Sequence, residues 1–353
     1  MQPEAQLFAD LAAYDEIIDV RSPAEFAEDH IPGAINCPVL DDAQRIEVGT
    51  LYKQVSPFVA KKIGAAMVSE NIGRHLRERF LDKAKDWKPL IYCWRGGNRS
   101  GSMTTVFRAI GWRACQLEGG YKTWRSHVIA RLECLPEHLN FHVICGTTGS
   151  AKTRVLQAIG ALGEQILDLE TLASHKGSVL GVLPGQPQPG QKWIETLLLQ
   201  ELAGFDPARP VYVEAESRKI GRLHVPEALI GRIRAGECYG IDATLAARVA
   251  FLLTDYDYFL AQPDLLGEPL AALKSLHSAE TMKRWHGMIA AADWPALVRE
   301  LLEQHYDPLY RRSQNSNFTG YRNPGAFPTD DLSASGIADL AARIVHSRSA
   351  QIA

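Results

Sequence analysis

The sequence predicts an α/β protein, two strand–loop–helix units in succession followed by a mostly helical C-terminal region. Three observations carry this. The apolar run Leu90-Ile91-Tyr92 feeds the loop Cys93-Trp94-Arg95-Gly96-Gly97-Asn98-Arg99-Ser100, and helical spacing follows. About fifty residues later, Phe141-His142-Val143-Ile144-Cys145 feeds Gly146-Thr147-Thr148-Gly149-Ser150-Ala151-Lys152-Thr153, the same topology around a lysine. Beyond Asp242 the apolar residues recur mainly at helical intervals.

In the first unit, residues 17–20 read as a short buried strand, 23–28 as the opening of a helix, and 33–36 as a turn into a strand. Residues 90–93 form the strand that delivers the cysteine. The helix after Ser100 stops at Gly111, a natural C-terminal breaker, and residues 113–117 form another strand closed by Gly119-Gly120. Residues 121–140 are amphipathic and read as a bridging helix. In the second unit a strand over 141–145, a helix over 152–163 and a strand over 166–169 follow. Residues 174–191 contain Gly185-Gln186-Pro187-Gln188-Pro189-Gly190 and are too irregular for an element, which suits a substrate loop. The strand Val211-Tyr212-Val213 then emerges at Glu214-Ala215-Glu216-Ser217-Arg218-Lys219, and parallel sheets bind ligands at such ends. Helices are expected over 245–253, 282–291, 296–302 and 335–345, with a fraying tail over 347–353.

Composition bounds the function. The 353 residues are 46% hydrophobic and 22% charged, values of a globular protein with room for two or three domains. No run is long and apolar enough to span a bilayer. Met1-Gln2-Pro3-Glu4-Ala5 has neither a basic flank nor an apolar stretch, so a cytoplasmic location without a membrane partner is expected. The six cysteines (Cys37, Cys93, Cys115, Cys134, Cys145, Cys238) form no CxxC pair, which argues against a zinc knuckle or an iron–sulfur cluster. His138 and His142 are four apart, but they straddle a helix–strand junction, so a shared zinc is not expected. Net charge is -3. Local basic patches at Lys61, Lys62, Arg74, Arg77 and Arg79, at Arg218, Lys219, Arg222, Arg232 and Arg234, and at Arg311-Arg312 nevertheless suit a phosphate-rich partner.

Each loop has its own chemistry. A thiol at a helix N-terminus meets backbone amides that favour a thiolate or a bound anion. Gly96, Gly97 and Asn98 let the loop curl, and Arg95 and Arg99 supply forks of donors. Such a thiolate could attack sulfur, selenium or phosphorus. The second loop departs from the Walker A pattern, Gly-x4-Gly-Lys-Thr, at Ala151, whose methyl group crowds the tight turn. Lys152 still serves phosphate oxygens, and Thr153 can meet a phosphate or Mg²⁺. Glu214, Glu216 and Asp168 end strands where a metal-binding or base carboxylate belongs. His175-Lys176-Gly177-Ser178 is a weaker anion-binding candidate. Trp124, Trp193, Trp285 and Trp294 read as packing residues.

The segments Asp19-Val20-Arg21-Ser22-Pro23, Glu25-Phe26, His30-Ile31-Pro32-Gly33-Ala34-Ile35-Asn36 and Leu117-Glu118-Gly119-Gly120-Tyr121, with Trp124, resemble a rhodanese domain. To about residue 340 the chain resembles the bacterial tRNA 2-selenouridine synthase family, on the Cys93 loop, the Gly146 loop and Glu214-Ala215-Glu216-Ser217-Arg218-Lys219-Ile220-Gly221. The resemblance implies a rhodanese-like domain over 1–130, a P-loop α/β domain over 131–240, and a helical region over 241–353 that contacts tRNA. It implies geranyl transfer from geranyl diphosphate to 2-thiouridine at the wobble position, then replacement of the S-geranyl group by selenium from selenophosphate. Lysine, glutamate and glutamine tRNAs are the implied substrates, and a selenophosphate synthetase the implied supplier. No tightly bound cofactor is implied beyond a possible Mg²⁺ near Thr153, Glu214 and Glu216. Cys93, Arg95 and Arg99 would handle selenium. Lys152 and Thr153 would neutralise the departing diphosphate with Gly146, Thr147, Thr148, Gly149, Ser150 and Ala151, and with Asp168, Glu214, Glu216, Arg218 and Lys219 nearby. An apolar pocket for the geranyl chain must then exist, and periodicity does not locate it. The alternatives are a sulfurtransferase using Cys93 alone, with the P-loop domain only holding RNA, an ATP-linked kinase, and a non-catalytic tRNA-binding module.

Overall fold

The computed structural model describes residues 11–310 and 325–352; Arg311-Arg312 lie outside the described residues. The chain divides into two compact units, Met1–Arg131 and Leu132–Ala353.

The first unit is built from β1 (Glu16–Asp19), α1 (Pro23–Glu28), β2 (Ala34–Asn36), α2 (Asp42–Gln54), α3 (Pro57–His75), β3 (Pro89–Tyr92), α4 (Asn98–Ile110), β4 (Cys115–Gln116) and α5 (Gly120–Cys134). Its four strands run parallel in the order β2-β1-β3-β4, so β3, which delivers the thiol loop, is internal and all four of its residues are buried. Ile18, Ile91, Met103 and Phe107 fill the core. Burying a side chain such as Phe107 contributes roughly 1.5–3 kcal/mol. Residues 42–75, marked in the sequence by charge rather than periodicity, form two helices. The first carries no buried residue and is started by Asp41, whose carboxylate accepts from the Gln44 N–H at 2.8 Å. Lys61, Lys62, Arg74, Arg77 and Arg79 are all exposed.

A buried polar network ties this unit together. Arg21 and Asp19 pair at 2.6 Å with at most 1% of either side chain exposed. Arg21 also donates to the Asp29 carbonyl at 2.6 Å and lies 3.9 Å from the centre of the Tyr121 ring. The Tyr121 hydroxyl donates to the Asp29 carboxylate at 2.7 Å. A buried ion pair persists only when its remaining hydrogen-bonding sites are met; here the Asp29 carbonyl and the Arg21 N–H meet them, and Tyr121 at the start of α5 covers the guanidinium. That helix ends at Cys134, earlier than the sequence suggests, because Pro136 sits in a short 3-10 turn and Asn140 already belongs to a strand.

The second unit contains β5 (Asn140–Gly146), α6 (Lys152–Ala161), β6 (Gln165–Leu167), α7 (Leu169–Ala173), α8 (Gln191–Gly204), β7 (Pro210–Glu214), the hairpin β8 (Lys219–Ile220) and β9 (Leu223–His224), α9 (Glu227–Arg234), β10 (Glu237–Ala243), α10 (Leu245–Asp255), α11 (Asp257–Ala261), α12 (Gly267–Ala272), α13 (Ala279–Ala290), α14 (Trp294–Leu301), β11 (Gly325–Thr329) and α15 (Ala334–Ile352). Five parallel strands lie in the order β11-β10-β5-β7-β6. The loop-bearing strand β5 is central, and its successors lie on both sides of it, the arrangement that opens a ligand crevice at the strand's carboxyl end.

Four sequence expectations are corrected here. Leu169 opens α7 rather than closing a strand, since Asp168 caps that helix by accepting from the Thr171 N–H at 2.9 Å. The 240/241 division passes through β10. The C-terminal region adds β11, whose Pro328 is tolerated because the strand is at the sheet edge. Helix α15 continues through the expected fraying tail to Ile352. His142, buried and hydrogen-bonded to the Tyr239 hydroxyl at 2.9 Å, is a core residue, as are Trp124 and Trp285. Among the described residues no helix is long and apolar enough to cross a membrane.

Candidate functional site

Each unit presents one site. In the first, the chain leaves β3 at Tyr92 and turns sharply through residues 93–97 into α4. Two glycines permit the turn. A Cβ on Gly96 (φ +63) would lie 2.7 Å from the Leu117 carbonyl oxygen, and one on Gly120 (φ +60) would lie 2.2 Å from the Cys93 carbonyl oxygen. The Tyr121 N–H donates to that same carbonyl at 2.8 Å and the Lys122 N–H to the Trp94 carbonyl at 3.0 Å, so the polar network around Arg21 also holds the thiol loop. Cys93 is 3% exposed. The Ser100 hydroxyl donates to its sulfur at 3.1 Å, and the Gln116 amide donates to Ser100 Oγ at 2.9 Å and to the Gly96 carbonyl at 2.6 Å. The thiol therefore sits at a helix N-terminus, shielded and hydrogen-bonded, in a setting suited to a nucleophile or to an anion carried on sulfur.

The two arginines differ. Arg95 is exposed, as are Gly97 and Asn98. Arg99 is committed to Glu25, with Nη1 and Nη2 donating at 2.6 and 3.2 Å, and Glu25 also accepts from the Ser22 N–H at 3.1 Å. Desolvation opposes ionisation of Glu25, but Arg99 outweighs it and holds the carboxyl below its ordinary range. Of the two arginines expected to hold an anion, Arg95 therefore lies in solvent, while Arg99 bridges α4 to α1.

In the second unit the loop between β5 and α6 lines a cavity of about 600 Å³, a size typical of small-molecule sites. Gly146 (φ +156) and Gly149 (φ +81) have no room for a side chain: added Cβ atoms would lie 2.4 Å from Ser150 Oγ and 2.7 Å from Leu252. Ala151, which stands where glycine is expected, adopts left-handed backbone at φ 59. The turn keeps its shape at a cost of about 1 kcal/mol. Lys152 Nζ donates to the Gly146 carbonyl at 2.9 Å and lies 5.6 Å from the centre of the Tyr310 ring. The Tyr310 hydroxyl accepts from the Gly146 N–H at 2.7 Å.

Of the three candidate carboxylates, only Glu216 lines this cavity. Asp168 is spent on capping α7 and accepts from Gln157 at 3.0 Å. Glu214 is fully buried beneath the cavity, accepting from the Glu170 N–H at 3.0 Å. The carboxylate missed by sequence reading is Glu170, which lines the cavity and accepts from the Thr153 hydroxyl at 2.7 Å. Burial, then Glu216, pushes Glu170 up to about 8. Burial and the neighbouring carboxylates push Glu214 well up, and burial raises Glu216 as well. A Thr next to a Lys, with a carboxylate within one turn of the end of the next strand in sequence, was the available signal.

Arg234 lines the cavity, whereas Arg218, Lys219, Arg222 and Arg232 are exposed outside it. Arg218 pairs with Glu227 at 3.2 Å, both largely in solvent, a contact worth at most about 1 kcal/mol. Lys176 is taken by Asp255 at 2.7 Å, so the His175–Ser178 segment is a cavity wall rather than a free anion site. Sequence reading also passed over Arg248, which is buried in the apolar stripe of α10. Its Nε donates to the Thr148 carbonyl at 2.8 Å, and its Nη atoms reach Asp307 at 3.0 and 2.6 Å. It fastens the phosphate-type loop to the helical region.

Family models match both units: a "Rhodanese-like domain" over residues 4–127 and a "tRNA 2-selenouridine synthase AAA domain" over residues 139–263. A tRNA 2-selenouridine synthase of Alcanivorax borkumensis is 33% identical over 87% of this chain and 92% of its own length. The chain belongs to the tRNA 2-selenouridine synthase family. A synthase of Cupriavidus necator is 30% identical over 90% of this chain and 94% of its own. One of Nitrosomonas europaea is 37% identical over 68% of this chain, a match spanning 63% of that protein. The synthase AAA model ends at residue 263, so His305, Tyr306 and Tyr310, which complete the cavity, come from outside it.

Proposed function

We propose that this chain is a cytoplasmic tRNA 2-selenouridine synthase acting in two chemical steps, one at each site. The observation that carries the reading is the pairing, in a chain of this family, of a shielded thiol at a helix N-terminus with a phosphate-type loop whose cavity holds both cations and carboxylates. In the first step the C1–O bond of geranyl diphosphate breaks and diphosphate leaves with the electron pair. The C2 sulfur of wobble 2-thiouridine takes the geranyl carbon, and N3 gives up its proton. Lys152, Arg234 and the loop amides stabilise the departing diphosphate, and Glu170 or Glu216 accepts the proton. In the second step selenium from selenophosphate attacks C2, the geranyl thiolate leaves and takes a proton, and water releases phosphate from selenium, restoring the N3 proton. Cys93 is the selenium-handling residue, with Arg95 the donor free to meet the anion. The exposed basic residues on α3 and around the β8–β9 hairpin meet the tRNA backbone, lysine, glutamate and glutamine tRNAs being the substrates.

The hard oxygen donors Thr153, Glu170 and Glu216 suit Mg²⁺, which binds through one or two carboxylates plus substrate phosphates. When bound, Mg²⁺ supplies charge neutralisation for the diphosphate.

The test uses 2-thiouridine tRNA with wild-type, Cys93→Ala and Lys152→Ala proteins, given geranyl diphosphate and then selenophosphate, with nucleosides read by mass spectrometry. Lys152→Ala is expected to stop geranylation. Cys93→Ala is expected to make the S-geranyl nucleoside but not selenouridine. Wild-type selenation by Cys93→Ala would remove the thiol from the mechanism. Unchanged activity of Lys152→Ala would favour a sulfurtransferase with a passive second unit.

A further inference from the structure

Beside the phosphate-type cavity lies a second, smaller chamber of about 70 Å³. The two share the walls Thr148, Ser178, Leu252, Tyr256 and Tyr306, so the chamber is continuous with the loop that would hold an anionic head group. Its remaining walls come from Leu180, α11, the turn at Leu266, and α14 with the residues just after it, and all are apolar or aromatic. Leu266, Leu297 and Leu302 are at most 5% exposed. Among the described residues no charged side chain lines it. A cationic cradle beside a largely hydrocarbon surface selects an amphiphile: a diphosphate carrying a short branched chain.

We propose that this chamber binds the distal five-carbon unit of the prenyl diphosphate and sets the accepted chain length, with Leu260, Trp294, Leu297 and Val298 as the specificity-determining residues. The proposal rests on the reading of the cavity as a prenyl diphosphate site. The volume excludes the whole chain: at about half the ~150 Å³ cavity that admits benzene, the chamber must widen about twofold to take one five-carbon unit, through its half-buried walls Leu260, Trp294 and Val298, and ten carbons do not fit. The proximal unit then lies between Leu252 and Tyr256, with its diphosphate at Lys152 and Arg234. Position 298 is half-buried on α14, which makes it a tolerant place to fill the chamber.

Equilibrium binding of inorganic, dimethylallyl, geranyl and farnesyl diphosphates to the full chain tests this. Wild type should bind geranyl diphosphate up to roughly 1,000-fold more tightly than the dimethylallyl compound, since about five extra carbons leave water at about 0.8 kcal/mol each. Val298→Phe and, from a different helix, Leu260→Phe should each cut that preference at least roughly tenfold and leave inorganic diphosphate binding within about twofold, which shows that the fold and the head-group site survive. Leu297→Ala should improve farnesyl diphosphate relative to geranyl diphosphate. If the filled variants keep the wild-type chain-length preference, the tail lies elsewhere and the proposal is overturned while the cavity reading stands. Wild type that binds geranyl no better than inorganic diphosphate also overturns the chamber, leaving a diphosphate site. Failure to bind any diphosphate removes the cavity reading itself.

Discussion

Replacing Arg248 with Met separates what holds the phosphate-type loop from what the loop does. The guanidinium is buried, with 5% of its side chain exposed against 15% for Asp307. It meets both Asp307 oxygens and the Thr148 carbonyl. Removing one partner of a buried pair strands the other charge at a cost of about 3–5 kcal/mol. Partial exposure of Asp307 places the expected loss at the low end, about 3 kcal/mol. For a unit of this size each kcal/mol lowers the melting temperature by about 2–4 °C, so Arg248→Met should melt roughly 6–12 °C lower. The double variant Arg248→Met, Asp307→Leu leaves no stranded charge and should recover most of that loss. It does not restore the donor to Thr148, so diphosphate affinity should stay reduced in both. Differential scanning calorimetry and urea unfolding measure the first effect, and titration with diphosphate the second. A single variant losing under about 1 kcal/mol, or a double variant no more stable than the single, would refute the reasoning.

Three further outcomes follow from the geometry. Gly120→Ala should destabilise the first unit by at least about 2 kcal/mol, because its Cβ would overlap the Cys93 carbonyl; alkylation of Cys93 should accelerate, and an unchanged labelling rate would count against the close approach. Ala151→Gly should stabilise the chain by about 0.5 kcal/mol, relief of the left-handed backbone exceeding the entropy cost, whereas Ala158→Gly within α6 should cost about 1 kcal/mol. Equal losses in the two would mean that Ala151 is not strained. For Glu170 the pH sign is set by a folded-state value of about 8 against an ordinary 4.5. Its neutral form stabilises the cation-free protein below pH 4.5, and that contribution is lost as pH rises through about 8. Between pH 5 and 8 wild type should therefore lose more stability than Glu170→Gln in urea titrations without divalent cations, and parallel profiles would show that Glu170 carries no such burden.

The sequence by itself determined both loops, the strand and helix flanking each, and the identity of Cys93 and Lys152 as their centres. These features are legible because each is a contiguous stretch whose residue types are dictated by local backbone geometry: glycine where φ is positive, an apolar run where a strand is buried. Tertiary structure decided which groups meet at those centres. Arg99 lies next to the thiol loop in sequence, yet it is claimed by Glu25, 74 residues away. Asp168 ends a strand but is consumed as a helix cap, so the carboxylate beside Thr153 is Glu170. Arg248 looks like a misplaced charge in an apolar stripe until Asp307, 59 residues on, and the Thr148 carbonyl are brought to it. The strands β10 and β11, and the apolar chamber walled by α11 and α14, likewise depend on contacts between distant segments. Periodicity reports which face of an element is buried but not what it is buried against, and that choice is made only when the chain packs.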